Sequence, residues 1–119
     1  MSASTPPAPP PGPPPPEVYE ATCATDGSDA VDRGRLLTRA EAEARRRAGL
    51  NIVVCGPDEG ANWQLARAIE AAASRTGQPP KPHGAHGGPL SLPHWQQRTP
   101  PPVGHSFYET LYRKARVTP

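Results

Sequence analysis

The distribution of proline is the feature that most constrains what this chain can fold into. Nine of the 19 prolines lie within residues 6–16, in the opening stretch MSASTPPAPPPGPPPPE. Proline has no backbone N–H and restricts the residue before it, so such a run forms neither a helix nor a central strand. Its few apolar residues cannot bury enough surface to offset the entropy of ordering. We therefore expect a disordered, Pro-rich N-terminal tail of extended conformation.

A second stretch, ATDGSDAVDRG at residues 24–34, has the composition of a flexible linker. The expected organisation is therefore a tail and linker over residues 1–34 and one small domain over residues 35–116. No run of about 18 apolar residues occurs, so we expect no membrane-spanning helix. The opening residues also lack the basic and then apolar pattern of a signal peptide. We expect a cytoplasmic protein, or one exported by a specialised secretion system without a cleavable signal peptide.

The first half of the predicted domain has the pattern of a helix, a strand and a second helix. In LLTRAEAEARRRAG, Thr38 and Glu41 form a capping box, and Gly49 stands where a helix ends. The β-branched run NIVVC predicts a buried strand that ends at Cys55, whose thiol burial would make unreactive. WQLARAIEAAASR predicts the second helix, capped by Asp58 or Asn62.

The second half has the pattern of a β-hairpin. LSLPHWQ and GHSFYETLYR each alternate, and the loop QRTPPPV separates them. A turn centred near Thr99 and Pro100 places His94 directly opposite His105. Pro93 cannot donate to a ladder, which predicts an edge position for the first strand. The predicted fold class is therefore α+β, a small helix–strand–helix unit followed by a β-hairpin.

All four histidines lie between residues 83 and 105. Two neighbouring imidazoles with pKa values near 6.5 can act as a general base and a general acid at neutral pH. In RNA cleavage, one would take the 2′-hydroxyl proton and the other would protonate the leaving oxygen. The predicted catalytic pair is His94 and His105, and this chemistry needs no metal ion.

The charge distribution favours an anionic partner. Residues 1–75 carry a net charge of −2, and residues 76–119, which hold the histidines, carry +4. A basic segment of this kind suits RNA or another nucleic acid. The predicted substrate-binding residues are Lys81 and Arg98 for phosphate, with Arg113 as a secondary candidate, and Trp95 and Tyr108 for stacking on a base.

A metal site is the alternative use of the histidines. His83 and His86, spaced as H-x-x-H, would join His94 and His105 as nitrogen ligands for zinc or another transition metal. The spacing matches no established zinc motif, and loop histidines commonly hydrogen-bond to turns instead. Both accounts therefore stay open for His83 and His86, which we treat as secondary candidates.

The segments LPHWQ and GHSFYET, after an Ala-rich helix and PHGAH, resemble the C-terminal toxin domains of bacterial polymorphic toxins, including those of RHS-repeat proteins. The resemblance covers roughly residues 36–115. It implies a nuclease, often a ribonuclease, with His94 and His105 in its site, and a cognate immunity protein as a partner. The sequence departs from relatives that have P-H-Y-H, because Gln96 replaces their second histidine.

The alternative function is a non-enzymatic interaction module. In that case the Pro-rich tail would dock into a groove of an SH3-like or similar partner. The histidines would then be structural or would hold a metal ion. An exposed cleft that both His94 and His105 face would favour the enzyme.

Overall fold

Seven strands and two helices form the secondary structure of the residues that the structure describes. The computed structural model describes residues 6–7, 12 and 14–117. The strands are β1 (Glu17–Cys23), β2 (Val31–Leu37), β3 (Ile52–Cys55), β4 (Lys81–His83), β5 (His94–Gln96), β6 (Ser106–Tyr108) and β7 (Arg116–Val117). The helices are α1 (Arg39–Arg47) and α2 (Glu59–Ala72). The predicted α+β class is confirmed, with more strands than the pattern indicated.

All seven strands belong to one mixed sheet, in the order β4-β5-β6-β3-β1-β2-β7. Strand β3 lies near the middle, antiparallel to β1 and parallel to β6. The other parallel pair is β2 with β7, and the remaining neighbours are antiparallel. The sheet therefore joins strands from the beginning, the middle and the end of the described chain.

The two faces of the sheet differ in what covers them. Ile52 and Val54 of β3 contact Ala42 of α1 and Ile69 of α2 in one buried cluster, and we call this side the helix face. Val53 and Cys55 have the opposite parity and pack in a second cluster without helical residues, with Ala21, Val31, Leu92, Phe107 and Ala115. We call this side the helix-free face. Burial there raises the pKa of Cys55 to about 12, as expected for an unreactive core thiol.

Both predicted helices are present with the expected caps. The Thr38 hydroxyl accepts from the backbone N–H of Glu41, and the Glu41 carboxylate accepts in return from the Thr38 N–H. Asp58 is the N-cap of α2 and accepts from the N–H of Ala61. Gly49 follows α1 with a φ of 82°. Within the described ranges, no helix has the length and apolar content needed to cross a bilayer.

The assignment of residues 17–34 to a tail and linker is wrong. Strands β1 and β2 form an antiparallel hairpin, and β1 also pairs with β3. Val18 and Val31 supply buried side chains to the two clusters. This burial offsets the conformational entropy lost when residues 17–34 become ordered, which the composition alone did not indicate. The Gly/Asp/Ser-rich stretch is the turn of this hairpin. The expected tail at residues 1–5, 8–11 and 13 lies outside the described residues.

The predicted second hairpin exists in a different register. His94 pairs with Phe107 and Trp95 with Ser106, so His94 is two positions away from the predicted partner His105. The edge assignment of this strand is also wrong, because β4 pairs with β5 along its other side. Pro93 lies just before β5, and the edge strand β4 carries Pro82, which lacks a donor for a ladder.

Candidate functional site

Four histidines converge on the helix-free face, along the strands at one edge of the sheet. His83 ends β4 and is paired directly with His94, the first residue of β5. His105 immediately precedes β6, and His86 lies in the loop after β4. We call these four residues the histidine cluster. The topology thus brings together every imidazole of the chain.

His94 is the central member of the cluster. Its ring centroid lies 4.3 Å from that of His105, 5.4 Å from that of His83 and 5.5 Å from that of His86. Nδ1 of His83 and Nε2 of His86 are 3.1 Å apart. The ligand nitrogens of His83, His86 and His94 all lie within 4.8 Å of one another, so these three side chains could hold a metal ion.

Burial favours the neutral form of two histidines of the cluster, His94 and His105. His94 is 5% exposed, and burial lowers its pKa to about 4, with the neighbouring His105 acting in the same direction. Burial is also the main reason that the pKa of His105 is lowered, and the charge of Arg46 adds to it. Neutral imidazole is the form that binds a metal ion. The same shift disfavours the protonated imidazole that a general acid requires.

Two ring nitrogens of the cluster are buried, Nδ1 of His94 and Nδ1 of His105. Neither has a hydrogen-bond partner among the described residues. Nε2 of His94 lies 3.2 Å from Oε1 of Gln96. When Nε2–H donates to this amide oxygen, the lone pair of Nδ1 of His94 is unused. In this tautomer, Gln96 orients the ring of His94.

The backbone at His105 is fixed by close contacts. The His105 N–H donates to Oδ1 of Asn51 at 2.8 Å. Gly104 has a φ of 96°, and a Cβ there would lie 2.8 Å from Nη1 of Arg46 and 2.9 Å from Oδ1 of Asn51. Only glycine accommodates both the left-handed conformation and this approach. The glycine of the GHSFY segment therefore serves to place His105.

A buried polar network on the helix face anchors the same segment. Arg46 and Glu70, both fully buried, form a two-point ion pair with Nε–Oε1 2.8 Å and Nη2–Oε2 3.0 Å. The Ser106 hydroxyl donates to Oε1 of Glu70 at 2.8 Å, and the Gln97 amide donates to Oε2. Arg46 also donates to the carbonyl of Val103 at 2.9 Å. This network holds both ends of the loop from β5 to β6 against the helices.

The structure does not support Trp95 and Tyr108 as residues that stack on a base. Both belong to the buried cluster on the helix face, and Trp95 is only 4% exposed. Its ring makes an edge contact with Trp63 at 5.1 Å. Successive residues of a strand point to opposite faces, so Trp95 lies across the sheet from His94, and Tyr108 lies across it from Phe107.

The three predicted cationic contacts differ in their positions. Lys81 is paired with Gln96 and shares the face of His83, so it lies beside the histidine cluster. Arg98 is exposed, and its Nε donates to the carbonyl of Pro79 at 2.9 Å. Arg113 donates to the carbonyls of Gly88 and Ser91, which holds the loop before β5. Lys81 is the predicted phosphate contact that is best placed.

A pocket of about 230 Å³ adjoins the histidine cluster. His86 and His94 line it together with the apolar side chains of Val31, Leu92 and Phe107. Asp29, from the turn between β1 and β2, lines it as well. Asp29 was not predicted as a site residue, because residues 24–34 have the composition of a linker. A hairpin interpretation of the Gly/Asp-rich stretch between the two apolar runs could have found this turn.

The fold and the site together define an α+β domain with a histidine cluster beside a pocket. No protein-family model matches the chain, and no curated protein or solved structure matches it at a significant level.

Proposed function

We propose that this protein is a metal-dependent hydrolase that cleaves phosphodiester bonds of RNA or another nucleic acid. The observation that carries the proposal is the set of three histidines, His83, His86 and His94, whose ligand nitrogens lie within 4.8 Å of one another. In a tetrahedral zinc site with Zn–N distances of 2.0–2.1 Å, two ligand nitrogens are about 3.4 Å apart. The 3.1 Å between Nδ1 of His83 and Nε2 of His86 is close to this spacing.

The ligand set suits a catalytic rather than a structural ion. Three protein ligands, His83, His86 and His94, would hold the ion and leave room for a water molecule, and a bound zinc ion would supply a more acidic water near pH 7. His86 is exposed and His83 is half-buried, so solvent and substrate can reach this position. His105 is adjacent to His94 but outside the set of three ligands, and in this proposal it would serve as a general base beside them.

Nucleic acid is the proposed substrate for two reasons. The segments LPHWQ and GHSFYET resemble those of nuclease toxin domains, and the C-terminal segment that holds the cluster, residues 76–119, carries a net charge of +4. Lys81, on the same face, would pair with a phosphate oxygen. The metal ion would polarise the phosphate and activate the water, while the protein holds the scissile bond beside the ion.

A metal-free acid/base mechanism is the second candidate. It is favoured by the distance of 4.3 Å between the ring centroids of His94 and His105, the pair expected from the sequence. In that mechanism, one imidazole would take the 2′-hydroxyl proton and the other would protonate the leaving oxygen. Removal of the metal ion separates the two candidates, because it would abolish cleavage by the metal-dependent mechanism and leave cleavage by the metal-free mechanism unchanged.

Titration of the metal-free protein with Co²⁺, followed by absorption spectroscopy, tests the ligand set. We expect one tetrahedral ion per chain, and we expect His83→Ala, His86→Ala and His94→Ala each to abolish the tetrahedral spectrum. Glu43→Gln is the control, since Glu43 lies on α1, outside the set and outside the pocket. A spectrum unchanged in all three histidine variants would show that the metal site is wrong.

Cleavage of labelled RNA and DNA by the same preparations tests the activity. We expect cleavage that EDTA abolishes and Zn²⁺ restores. Cleavage that persists in EDTA and is lost in His94→Ala and His105→Ala would support the metal-free candidate instead. Metal binding without cleavage of either nucleic acid would contradict the hydrolase and would favour the interaction module with metal-holding histidines.

A further inference from the structure

We propose that the pocket beside the histidine cluster binds a nucleobase and prefers guanine. The base pocket is lined by Val31, Leu92, Phe107, His86, His94 and Asp29. This inference rests on the proposed function, since it assigns to that same site the base next to the scissile phosphate. It concerns a different part of the site from the metal ligands, and it can fail independently of them.

The apolar part of the base pocket fits a planar ring in size and character. Val31, Leu92 and Phe107 belong to one buried cluster on the helix-free face. A volume of about 230 Å³ can hold a purine, and the aliphatic and aromatic side chains can contact its faces. His86 and His94 are shared by the pocket and the cluster, so a base in the pocket brings its own phosphate close to the ion.

Asp29 supplies the polar recognition. Asp29 is exposed, and its carboxylate makes no hydrogen bond or ion pair with the described residues, so both oxygens are free to accept from a ligand. Asp29 also has a φ of 59°, the left-handed conformation that is uncommon for a residue with a side chain. Strained residues of this kind are frequent at ligand sites.

The position of the Asp29 side chain is set by Gly87. A Cβ at Gly87 would collide with the Asp29 carboxyl group, so only glycine at residue 87 allows the turn and the loop after β4 to approach this closely. The loop that carries His86 and the turn that carries Asp29 are therefore packed together. Asp29, His86 and His94 line the same pocket as a result.

The chemistry of the four bases selects guanine. A carboxylate accepts two parallel hydrogen bonds, and guanine presents two adjacent donors, N1–H and the N2 amino group, on one edge. Adenine and cytosine present an amino donor next to a ring nitrogen that is an acceptor. Uracil presents one N–H between two carbonyl oxygens, which a carboxylate repels. Only guanine therefore satisfies both oxygens of Asp29 without repulsion.

Calorimetric titration with 5′-GMP, 5′-AMP, 5′-CMP and 5′-UMP tests the base pocket, with inorganic phosphate as the probe for binding at the ion alone. We expect GMP to bind more tightly than the other three nucleotides and than phosphate. Asp29→Asn should weaken GMP binding by roughly 10- to 100-fold, the loss expected for hydrogen bonds to a charged group. Asparagine tolerates the left-handed conformation, so the turn is retained.

Two further variants complete the experiment. Glu43→Gln removes a half-buried carboxylate of α1 that does not line the pocket, and it should leave GMP affinity unchanged. Ala24 also lines the pocket, and Ala24→Leu fills it. This variant should weaken the binding of all four nucleotides while leaving phosphate binding unchanged. Equal affinities for the four nucleotides, unaltered by Asp29→Asn, would overturn the proposal that this pocket binds guanine. A loss of Co²⁺ binding in Asp29→Asn, with GMP binding unchanged, would overturn it as well and would make Asp29 a metal ligand.

The two proposals give distinguishable failures. GMP binding that depends on Asp29 in a protein that cleaves neither RNA nor DNA would leave the base pocket standing and would contradict the hydrolase. Cleavage of RNA without preference at guanine, unaltered by Asp29→Asn, would leave the hydrolase standing and would overturn the base pocket.

Discussion

The imidazole rings of His94 and His105 have centroids 4.3 Å apart, although His94 is paired in the sheet with Phe107. The two histidines are diagonal neighbours on one face, a relationship that brings aromatic side chains of adjacent strands into contact. Phe107 completes the group, with its ring 5.3 Å from each imidazole. The contact places His105 next to His83, His86 and His94, the three histidines that could hold a metal ion, although His105 is not one of that set.

His105 and His94 are therefore expected to differ when each is replaced by alanine. His105→Ala should retain the tetrahedral Co²⁺ spectrum but lower the rate of RNA cleavage by about 100-fold, a typical loss for a side chain that acts directly on the reacting groups. His94→Ala should lose both properties. Co²⁺ absorption and cleavage of labelled RNA, measured on the same preparations, check this. Loss of the Co²⁺ spectrum in His105→Ala would show that His105 is a fourth ligand.

The metal-free protein should lose stability as the pH falls from 7.5 to 5. The folded-state pKa of His94, lowered to about 4, is below that of the unfolded chain, about 6.5, so below pH 6.5 the unfolded state binds a proton that the folded state does not. His94 alone should account for about 2 kcal/mol between these pH values. His83, His86 and His105 face the same ring, and the lowered pKa of His105 acts in the same direction.

Urea unfolding of the metal-free protein at pH 7.5 and pH 5 measures this effect. His94→Gln should reduce the difference in unfolding free energy between the two pH values, because the titrating group is removed. His86→Ala, which removes an exposed histidine, should leave most of the difference in place. An equal pH dependence in wild type and His94→Gln would contradict the prediction.

Gly104→Ala should destabilise the protein more than Gly77→Ala. Both glycines have positive φ, 96° at Gly104 and 76° at Gly77, so both substitutions carry the cost of a left-handed alanine, about 1 kcal/mol. A Cβ at Gly77 meets nothing within 4 Å, whereas at Gly104 it meets Arg46 and Asn51. Because of these contacts, Gly104→Ala should lower the free energy of unfolding by about 2 kcal/mol more than Gly77→Ala does. Thermal unfolding of the two variants checks this, and equal losses would mean that the contacts relax freely.

Replacing Glu70 by alanine should cost about 3–5 kcal/mol, because it leaves the Arg46 guanidinium buried without its counter-charge. The double variant Arg46→Met with Glu70→Leu should recover much of this loss, since the pair can be exchanged for apolar side chains. Glu43→Gln, at an exposed pair, should change stability by less than about 1 kcal/mol. Urea unfolding of the three variants measures these differences. A double variant as unstable as Glu70→Ala would show that the network is needed as a whole.

Local signals were sufficient to predict α1, α2 and β3. Thr38 and Glu41 form a capping box within four residues, and the run from Ile52 to Cys55 is apolar throughout, so neither depends on distant partners. Strands β1 and β2 could not be predicted in the same way. Val18 and Ala21 are buried only because β3 and β2 flank them, and their own composition does not distinguish them from a linker.

The arrangement of His94 and His105 was predicted in part, because the alternation of residues along a strand is a local signal and the pairing of strands is not. Alternation places His94 and Phe107 on one face, but the nine residues between β5 and β6 do not determine the register. The predicted contact of His94 with His105 is nevertheless present, because a shift of two positions preserves the face. The stacking roles of Trp95 and Tyr108 were wrong because sequence parity alone does not show which face carries the helices.

The central position of β1 means that residues 17–23 protect the sheet from self-association. β3 is fully buried and apolar, with β6 on one side and β1 on the other. Without β1, the Val53 and Val54 backbone would present a free row of N–H and C=O groups on an apolar strand, which is a template for intermolecular β-pairing and aggregation. An N-terminal truncation that is meant to stay monomeric should therefore begin at Glu17 or earlier.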